Sequence, residues 1–180
     1  MAFVARTHPQ QGYNEQVDDR ATTWEDFTPL HERYRFTVDV AASERNTKLP
    51  RFYTRADDGL AQSWASERVW CNPPFSSIRP WVEKAWAETV ADLVVMILPA
   101  NRTEQGWWQE LIEPRRDQGG RLATRFYPGR WQFVPFDDDV IRPNSRPPFG
   151  IVVAVWGADP PPPQSLTIPQ ALPMLSADYD

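Results

Sequence analysis

The chain has 180 residues, 41% of them hydrophobic and 13% aromatic, which is enough apolar material for one packed domain but too little length for two ordinary ones. A net charge of −5 argues against a protein coated in nucleic acid, and no apolar run approaches the roughly 18 residues of a membrane span. The single cysteine excludes an internal disulfide framework and favours a reducing cytoplasm. One cysteine and two histidines also argue against a zinc site, so we expect a cytoplasmic protein without a metal.

The first half of the chain predicts alternating helices and strands. Residues 1–20 are polar and predict a flexible lead-in. Thr23 lies where a threonine can cap a helix, with acids just after it, and the helix should run to about Tyr34. A buried strand that ends in small residues, a short strand and a turn are then expected over 35–42, 51–54 and 57–60.

A third predicted strand, 66–71, leads into the sequence Asn72-Pro73-Pro74-Phe75. Proline cannot donate to a strand ladder, so two in succession must end the pairing. Ser76 and Ser77 are placed to cap the next helix, which should continue to about residue 91. A strand is then predicted over 91–100, a helix over 103–112, and a strand pair joined by Pro128-Gly129 over 121–136. A last strand over 148–156 and a Pro-rich extended tail over 158–180 complete the chain.

Continuous apolar strands that alternate with helices predict an α/β fold with a mostly parallel sheet covered on both faces. The strand pair adds an antiparallel hairpin toward the C-terminal part. Ligands of such sheets bind beyond the carboxyl ends of the strands. Because Asp39 and Asn72 both lie at such ends, we expect their segments to face one cleft.

The sequence Asn72-Pro73-Pro74-Phe75 suits one kind of chemistry. The amide oxygen of Asn72 and the carbonyl of Pro73 are two acceptors that the prolines hold with little conformational freedom. An amine-bearing ring stacked on Phe75 would donate both amine hydrogens to these acceptors, which frees the nitrogen lone pair for attack. This arrangement favours group transfer to a poor nitrogen nucleophile by orientation and electrostatics, without a strong base. The alternative is that the prolines merely end the strand.

The same sequence resembles the catalytic motif of S-adenosylmethionine-dependent amino-methyltransferases. The sequences DVAA, DDGL, CNPPF and PGRWQF, at 39–42, 57–60, 71–75 and 128–133, together resemble the small phage-type DNA adenine methyltransferases, the Dam family of phages and prophages. The resemblance runs from residue 22 to about 156. It implies a single Rossmann-like methyltransferase domain over 21–157 that transfers a methyl group from S-adenosylmethionine to the exocyclic amine of adenine in double-stranded DNA.

The resemblance also implies roles for individual residues. Asn72, Pro73 and Pro74 would hold the amine of a flipped-out adenine, and Phe75 would stack on it. The cofactor would contact residues from three segments, namely Thr23, Trp24, Asp39, Ala41, Ala42 and Asp58. Three features depart from the pattern: Ala41-Ala42-Ser43 replaces a glycine-rich loop, Trp24 stands where relatives often have proline, and Phe75 replaces the commoner tyrosine.

Several alternatives stay open at this level. Arg102 and Arg130 are candidates for DNA contact or ordinary surface arginines. The arginines between Pro114 and Arg130 are individually more typical of surface charge. Cys71 is more typical of a small buried residue than of a nucleophile. The same motif serves a methyltransferase acting on RNA or on a protein glutamine. A non-catalytic DNA-binding relative of the fold is the third reading. The target site and the oligomeric state have no signal in the sequence.

Overall fold

The computed structural model of the protein describes residues 18, 21–118, 120–134 and 147–157. The predicted lead-in, apart from Asp18, and the predicted Pro-rich tail lie outside the described residues. The described helices are α1 (Trp24–Tyr34), α2 (Arg79–Ala87) and α3 (Gly106–Leu111). The described strands are β1 (Ala21–Thr22), β2 (Val38–Asp39), β3 (Arg68–Cys71), β4 (Leu93–Pro99), β5 (Leu122–Phe126), β6 (Phe133–Val134) and β7 (Ile151–Gly157).

Five strands form a mixed sheet in the order β2-β3-β4-β7-β5. β2, β3 and β4 are parallel neighbours, whereas β7 is antiparallel to both β4 and β5. The prediction of a Rossmann-like, mostly parallel sheet is therefore wrong. It rested on continuous apolar strands, which report burial on both faces of a sheet but carry no information about strand direction.

The predicted antiparallel hairpin between 121–128 and 130–136 is also wrong among the described residues. β5 pairs with β7, and β6 pairs with β1 in a separate two-stranded antiparallel sheet. Gly129, with a φ of 75°, does turn the chain. Beyond it Trp131 and Phe133 bury their rings in a core cluster with Phe27 of α1, which carries β6 away from β5.

The core lies on both faces of the five-stranded sheet. Successive residues of β4 alternate between two apolar clusters, as side chains of a strand must. The first cluster packs against α2 and α3 through residues such as Val82 and Trp108, and the second packs against α1 through Phe27 and Leu30. This two-sided cover explains why all seven residues of β4 and of β7 are buried.

The helix ends follow local chemistry, with some differences from expectation. Thr23 caps α1 as predicted, because its side chain accepts a hydrogen bond from the Asp26 amide at 3.2 Å. Ser76 and Ser77 do not cap α2; its cap residue is Ile78, which offers no side-chain hydrogen bond. The helices α2 and α3 are shorter than predicted. Within the described ranges, no helix combines the length and the apolar character that crossing a membrane requires.

Candidate active site

A cavity of about 700 Å³ opens beyond the carboxyl ends of β2 and β3. Residues 40–46 follow β2 and form one wall, and residues 53–56 and 58–60 form a second. Asn72, Pro74 and Ser77 form a third wall, together with Trp81 of α2. The volume lies within the range of roughly 300–1,000 Å³ that is typical of sites for small molecules and cofactors. The two strand ends therefore line one cleft, as the sequence predicts.

The wall after β2 begins with small residues held by their backbone, whereas its later part includes Glu44 and Arg45. The Val40 amide donates to the Trp70 carbonyl at 3.1 Å, and the Ala42 amide donates to the Tyr53 carbonyl at 3.0 Å. Ala41 and Ala42 present only methyl groups to the cavity. A ligand can consequently approach this segment closely, although it lacks the glycine-rich sequence usual at such positions.

Gly59 lets the second wall approach the first. A β-carbon added at this residue would lie 2.0 Å from the Val40 carbonyl oxygen and 3.3 Å from Cη2 of Trp81. The Gly59 carbonyl also accepts a hydrogen bond from the buried indole nitrogen of Trp64 at 3.0 Å. The turn is thus fixed against β2, and its neighbour Asp58 lines the cavity with a φ of 52°.

The residues of the Asn-Pro-Pro-Phe sequence divide between the cavity and the core. Asn72 and Pro74 line the cavity, whereas Pro73 is buried behind them. Phe75 is half-buried, and its ring meets the edge of Phe133 with centroids 6.1 Å apart and an interplanar angle of 83°. The guanidinium Nη1 of Arg102 donates to the Phe75 carbonyl at 2.5 Å, so this arginine is tied to the loop itself.

Asp39 is a carboxylic acid placed beside the cavity but not lining it. It is 3% exposed, and its Oδ2 accepts a hydrogen bond from the Lys48 amide at 3.1 Å. Among the described residues, its Oδ1 has no hydrogen-bond partner. Burial raises the pKa of Asp39 to about 6, because a charged carboxylate is poorly solvated there, and the hydrogen bonds to backbone amides only partly offset this.

Three other predicted residues do not line the cavity. The Thr23 hydroxyl donates a hydrogen bond to the Asp26 carboxylate at 2.8 Å. Trp24 is 60% exposed and carries the Lys48 ammonium over its ring at 4.8 Å from the centroid. Arg130 is exposed after the Gly129 turn. The cofactor-binding role of Thr23 and Trp24 and the DNA-binding role of Arg130 stay predictions.

Cys71 is fully buried, and burial raises its thiol pKa well above the usual range. A neutral, inaccessible thiol does not serve as a nucleophile. No group of histidine, cysteine, aspartate and glutamate side chains within the described ranges is arranged to hold a metal ion.

Sequence reasoning missed most residues of the cavity, among them Gly59, Trp81 and Asp18. Gly59 was visible only as part of a turn, and its close approach to β2 depends on tertiary packing. Trp81 is buried in the core through its helical packing, and it lines the cavity as well. Asp18 lines the cavity from a segment that its polar composition assigned to the lead-in. No local sequence pattern marks Asp18, because its hydrogen-bond partner, Ser76, lies 58 positions later in the chain.

Comparison with known proteins adds a family to this geometry. Residues 10–156 match the family model "DNA N-6-adenine-methyltransferase (Dam)". The chain is 34% identical over 82 residues to the DNA N-6-adenine-methyltransferase of Haemophilus phage HP1, covering 43% of this chain and 47% of that protein. It is 33% identical over 84 residues to the DNA N-6-adenine-methyltransferase of Escherichia phage T1, covering 45% of this chain and 35% of that protein. The match thus spans less than half the length of these curated relatives. Since the family model covers most of the 180 residues, the chain belongs to the DNA N-6-adenine-methyltransferase (Dam) family.

Proposed function

We propose that the protein is phage-encoded and transfers a methyl group from S-adenosylmethionine to the exocyclic amine of adenine in DNA. The observation that carries the proposal is that Asn72 and Pro74 share one cavity with Ala41 and Ala42, the small residues that follow β2. A site for a methyl donor and a site for an amine must adjoin if one group is to pass directly to the other. The phage relatives, whose names state this activity, support the same assignment.

The residues present fit S-adenosylmethionine. The cavity has room for a cofactor of this size, and its walls combine apolar faces, such as Leu60 and Trp81, with the carboxylate of Asp58. A carboxylate beside a ligand's ribose suits its two hydroxyl donors. The unpartnered Oδ1 of Asp39, adjacent to the Val40–Ala42 wall, matches a cationic amine at the other end of the ligand. When bound, the cofactor supplies an electrophilic methyl group on a sulfonium.

The chain's own residues would prepare the acceptor nitrogen. The amide oxygen of Asn72, a residue that lines the cavity, and the carbonyl oxygen of Pro73, the buried residue next to it, would accept the two amine hydrogens of the adenine. Because proline fixes φ at residues 73 and 74, the backbone that carries the Pro73 carbonyl is largely shaped before the base arrives. Hydrogen bonds that grow stronger as the amine becomes tetrahedral stabilise the transition state more than the ground state.

The base would have to leave the duplex to reach this loop, because its amine is otherwise paired. Phe75 offers an aromatic surface for the extruded base, and Phe133 and Phe149 support its ring at centroid distances of 6.1 and 6.0 Å. Arg130, exposed near the turn at Gly129, is the proposed contact to the DNA backbone. Arg102 donates to the Phe75 carbonyl, which favours a role in positioning the loop and not a direct contact to phosphate.

The experiment uses the purified chain, methyl-labelled S-adenosylmethionine and duplex DNA. We expect label on adenine N6, and we expect Asn72→Ala to abolish transfer while calorimetry shows the cofactor still bound. Asn101→Ala is the matched control, because Asn101 is an exposed asparagine outside the cavity wall. Parallel reactions with RNA and with cell extract decide between acceptors. Label on RNA or on protein glutamine alone, or a failure to bind the cofactor, would refute the proposal.

A further inference from the structure

Asp18 makes a paired contact with the residue that follows the Asn-Pro-Pro-Phe sequence. Its Oδ1 accepts a hydrogen bond from the Ser76 amide at 3.0 Å, and its Oδ2 accepts one from the Ser76 hydroxyl. The pair spans 58 positions of sequence. Both hydrogen bonds lie at the protein surface, and together they form a tether between segments that are distant in sequence.

The tether lies where the loop otherwise has few donors. Pro73 and Pro74 have no N–H, so the backbone amides that can anchor the loop begin at Phe75. Ser76 is the next residue, and its amide bonds to Asp18. On the same side, Ser77 returns a hydrogen bond to the Pro74 carbonyl at 3.0 Å, which closes the turn. The far end of the loop is thus held by Asp18 and by the turn that it stabilises.

A second contact ties the same N-terminal region to Phe75. Three residues after Asp18, β1 pairs with β6, with Thr22 opposite Phe133. The Phe133 ring then packs against the Phe75 ring. The N-terminal region therefore contacts the loop in two ways. The Asp18 carboxylate binds Ser76 directly, and β1 pairs with β6, whose Phe133 ring packs against Phe75.

We infer that Asp18 is a positioning residue for the Asn72–Phe75 loop, acting through Ser76. The inference deepens the proposed function and rests on it. Asp18 sets where Phe75 and the two acceptor oxygens lie relative to the cofactor wall, while the prolines set only the shape of the loop. Misplacement of reacting groups by about 1 Å can cost on the order of 100-fold in rate, so loss of the tether should act on turnover.

Asparagine at residue 18 separates position from charge. Its amide oxygen can accept from the Ser76 amide, and its NH2 group can donate to the Ser76 hydroxyl, so both contacts survive without the negative charge. If Asp18 acts by position, Asp18→Asn retains most activity and Asp18→Ala does not. If Asp18 instead acts by its charge on a ligand in the cavity, both variants lose activity equally.

Asp117 provides a matched control within the same chain. Its Oδ1 accepts from the Thr124 amide and its Oδ2 from the Thr124 hydroxyl, both at 2.7 Å, which repeats the Asp18–Ser76 geometry. Thr124 lies in β5, at the opposite edge of the sheet from β2, and neither residue lines the cavity. Asp117→Ala thus removes the same kind of hydrogen-bond pair away from the site, together with the contact of Asp117 to Arg116.

The test combines kinetics with hydrogen exchange. We expect Asp18→Ala to lower kcat for DNA by about 10- to 100-fold while cofactor affinity changes less than about threefold. Ser76→Ala should lose less, since its backbone amide is kept. The Ser76 amide should exchange faster in Asp18→Ala but not in Asp18→Asn or Asp117→Ala.

The outcomes separate the two claims. Unchanged exchange at Ser76 and unchanged kcat in Asp18→Ala, with an active wild-type protein, overturn the positioning role alone. Equal losses in Asp18→Asn and Asp18→Ala overturn it as well, in favour of charge. A wild-type protein that transfers no methyl group to DNA refutes the proposed function and removes the catalytic role of the tether with it.

Discussion

Replacing Gly59 by alanine should damage the cavity directly. The new β-carbon would lie 2.0 Å from the Val40 carbonyl oxygen, whereas real β-carbons essentially never come closer than 3.0 Å to such an atom. The obstructing atom belongs to the backbone, so no side-chain rotation relieves the contact. The two walls must separate by about 1 Å, and both of them line the cavity.

This separation has a cost in stability and in cofactor binding. Overpacking of this kind typically costs about 1–3 kcal/mol of unfolding free energy. Because the displaced walls are those proposed to hold the cofactor, we expect the dissociation constant of S-adenosylmethionine to rise at least about tenfold, or about 1.4 kcal/mol. Calorimetric titration and urea denaturation measure the two effects. Gly120→Ala is the control, because a β-carbon there has no atom within 4 Å. A Gly59→Ala protein with wild-type stability and affinity would refute the reasoning.

Three further predictions concern stability and reactivity. Burial raises the pKa of Asp39 from 3.8 to about 6, so the folded state binds this proton more tightly and wild-type stability falls as pH rises from about 4 to 6. Urea denaturation should therefore show Asp39→Asn gaining up to about 3 kcal/mol of unfolding free energy over wild type by pH 7. A gain that does not depend on pH would contradict this. Cys71 should resist alkylation in the native protein and react only after unfolding, as mass spectrometry can follow; rapid native labelling would contradict its burial. Trp108→Ala, which removes a ring that is 1% exposed, should cost about 3–5 kcal/mol of unfolding free energy, whereas Trp24→Ala, at 60% exposure, should cost under about 1 kcal/mol; similar losses in the two would count against the assigned burial.

The buried strands were predictable, but their directions were not. Seven consecutive apolar residues in β4 and in β7 indicate strands covered on both faces, and the structure buries all of them. Burial is a property of each residue's surroundings, whereas direction depends on how the connecting segments cross the sheet. The antiparallel insertion of β7 between β4 and β5 therefore had no counterpart in the apolar pattern.

Helical spacing likewise predicted α1 but misplaced one residue. Phe27, Leu30 and Tyr34 lie on the buried face, as their spacing indicates. Trp24 continues the same spacing by one turn, yet it is mostly exposed. Tertiary packing, which the sequence does not carry, decides where the buried face of the helix ends.

The site divides in the same way between local and long-range information. The positions of Ala41, Ala42 and Asn72 at one cleft follow from the rule that parallel strands bring their carboxyl ends to one edge. Gly59 and Asp18 act through contacts with Val40 and Ser76, which are remote in sequence. Such contacts exist only after the chain has folded, so composition and periodicity could not reveal them.

The place of β7 in the sheet bears on how the chain folds during synthesis. β7 comes last among the described strands, yet it lies between β4 and β5 and pairs with seven residues of one and five of the other. Until residue 157 has left the ribosome, a nascent chain displays two open apolar strand edges that a chaperone or another chain can occupy. Ribosomes that stall before residue 151 should accordingly yield an aggregation-prone fragment, and closure of the sheet should be a late and slow event.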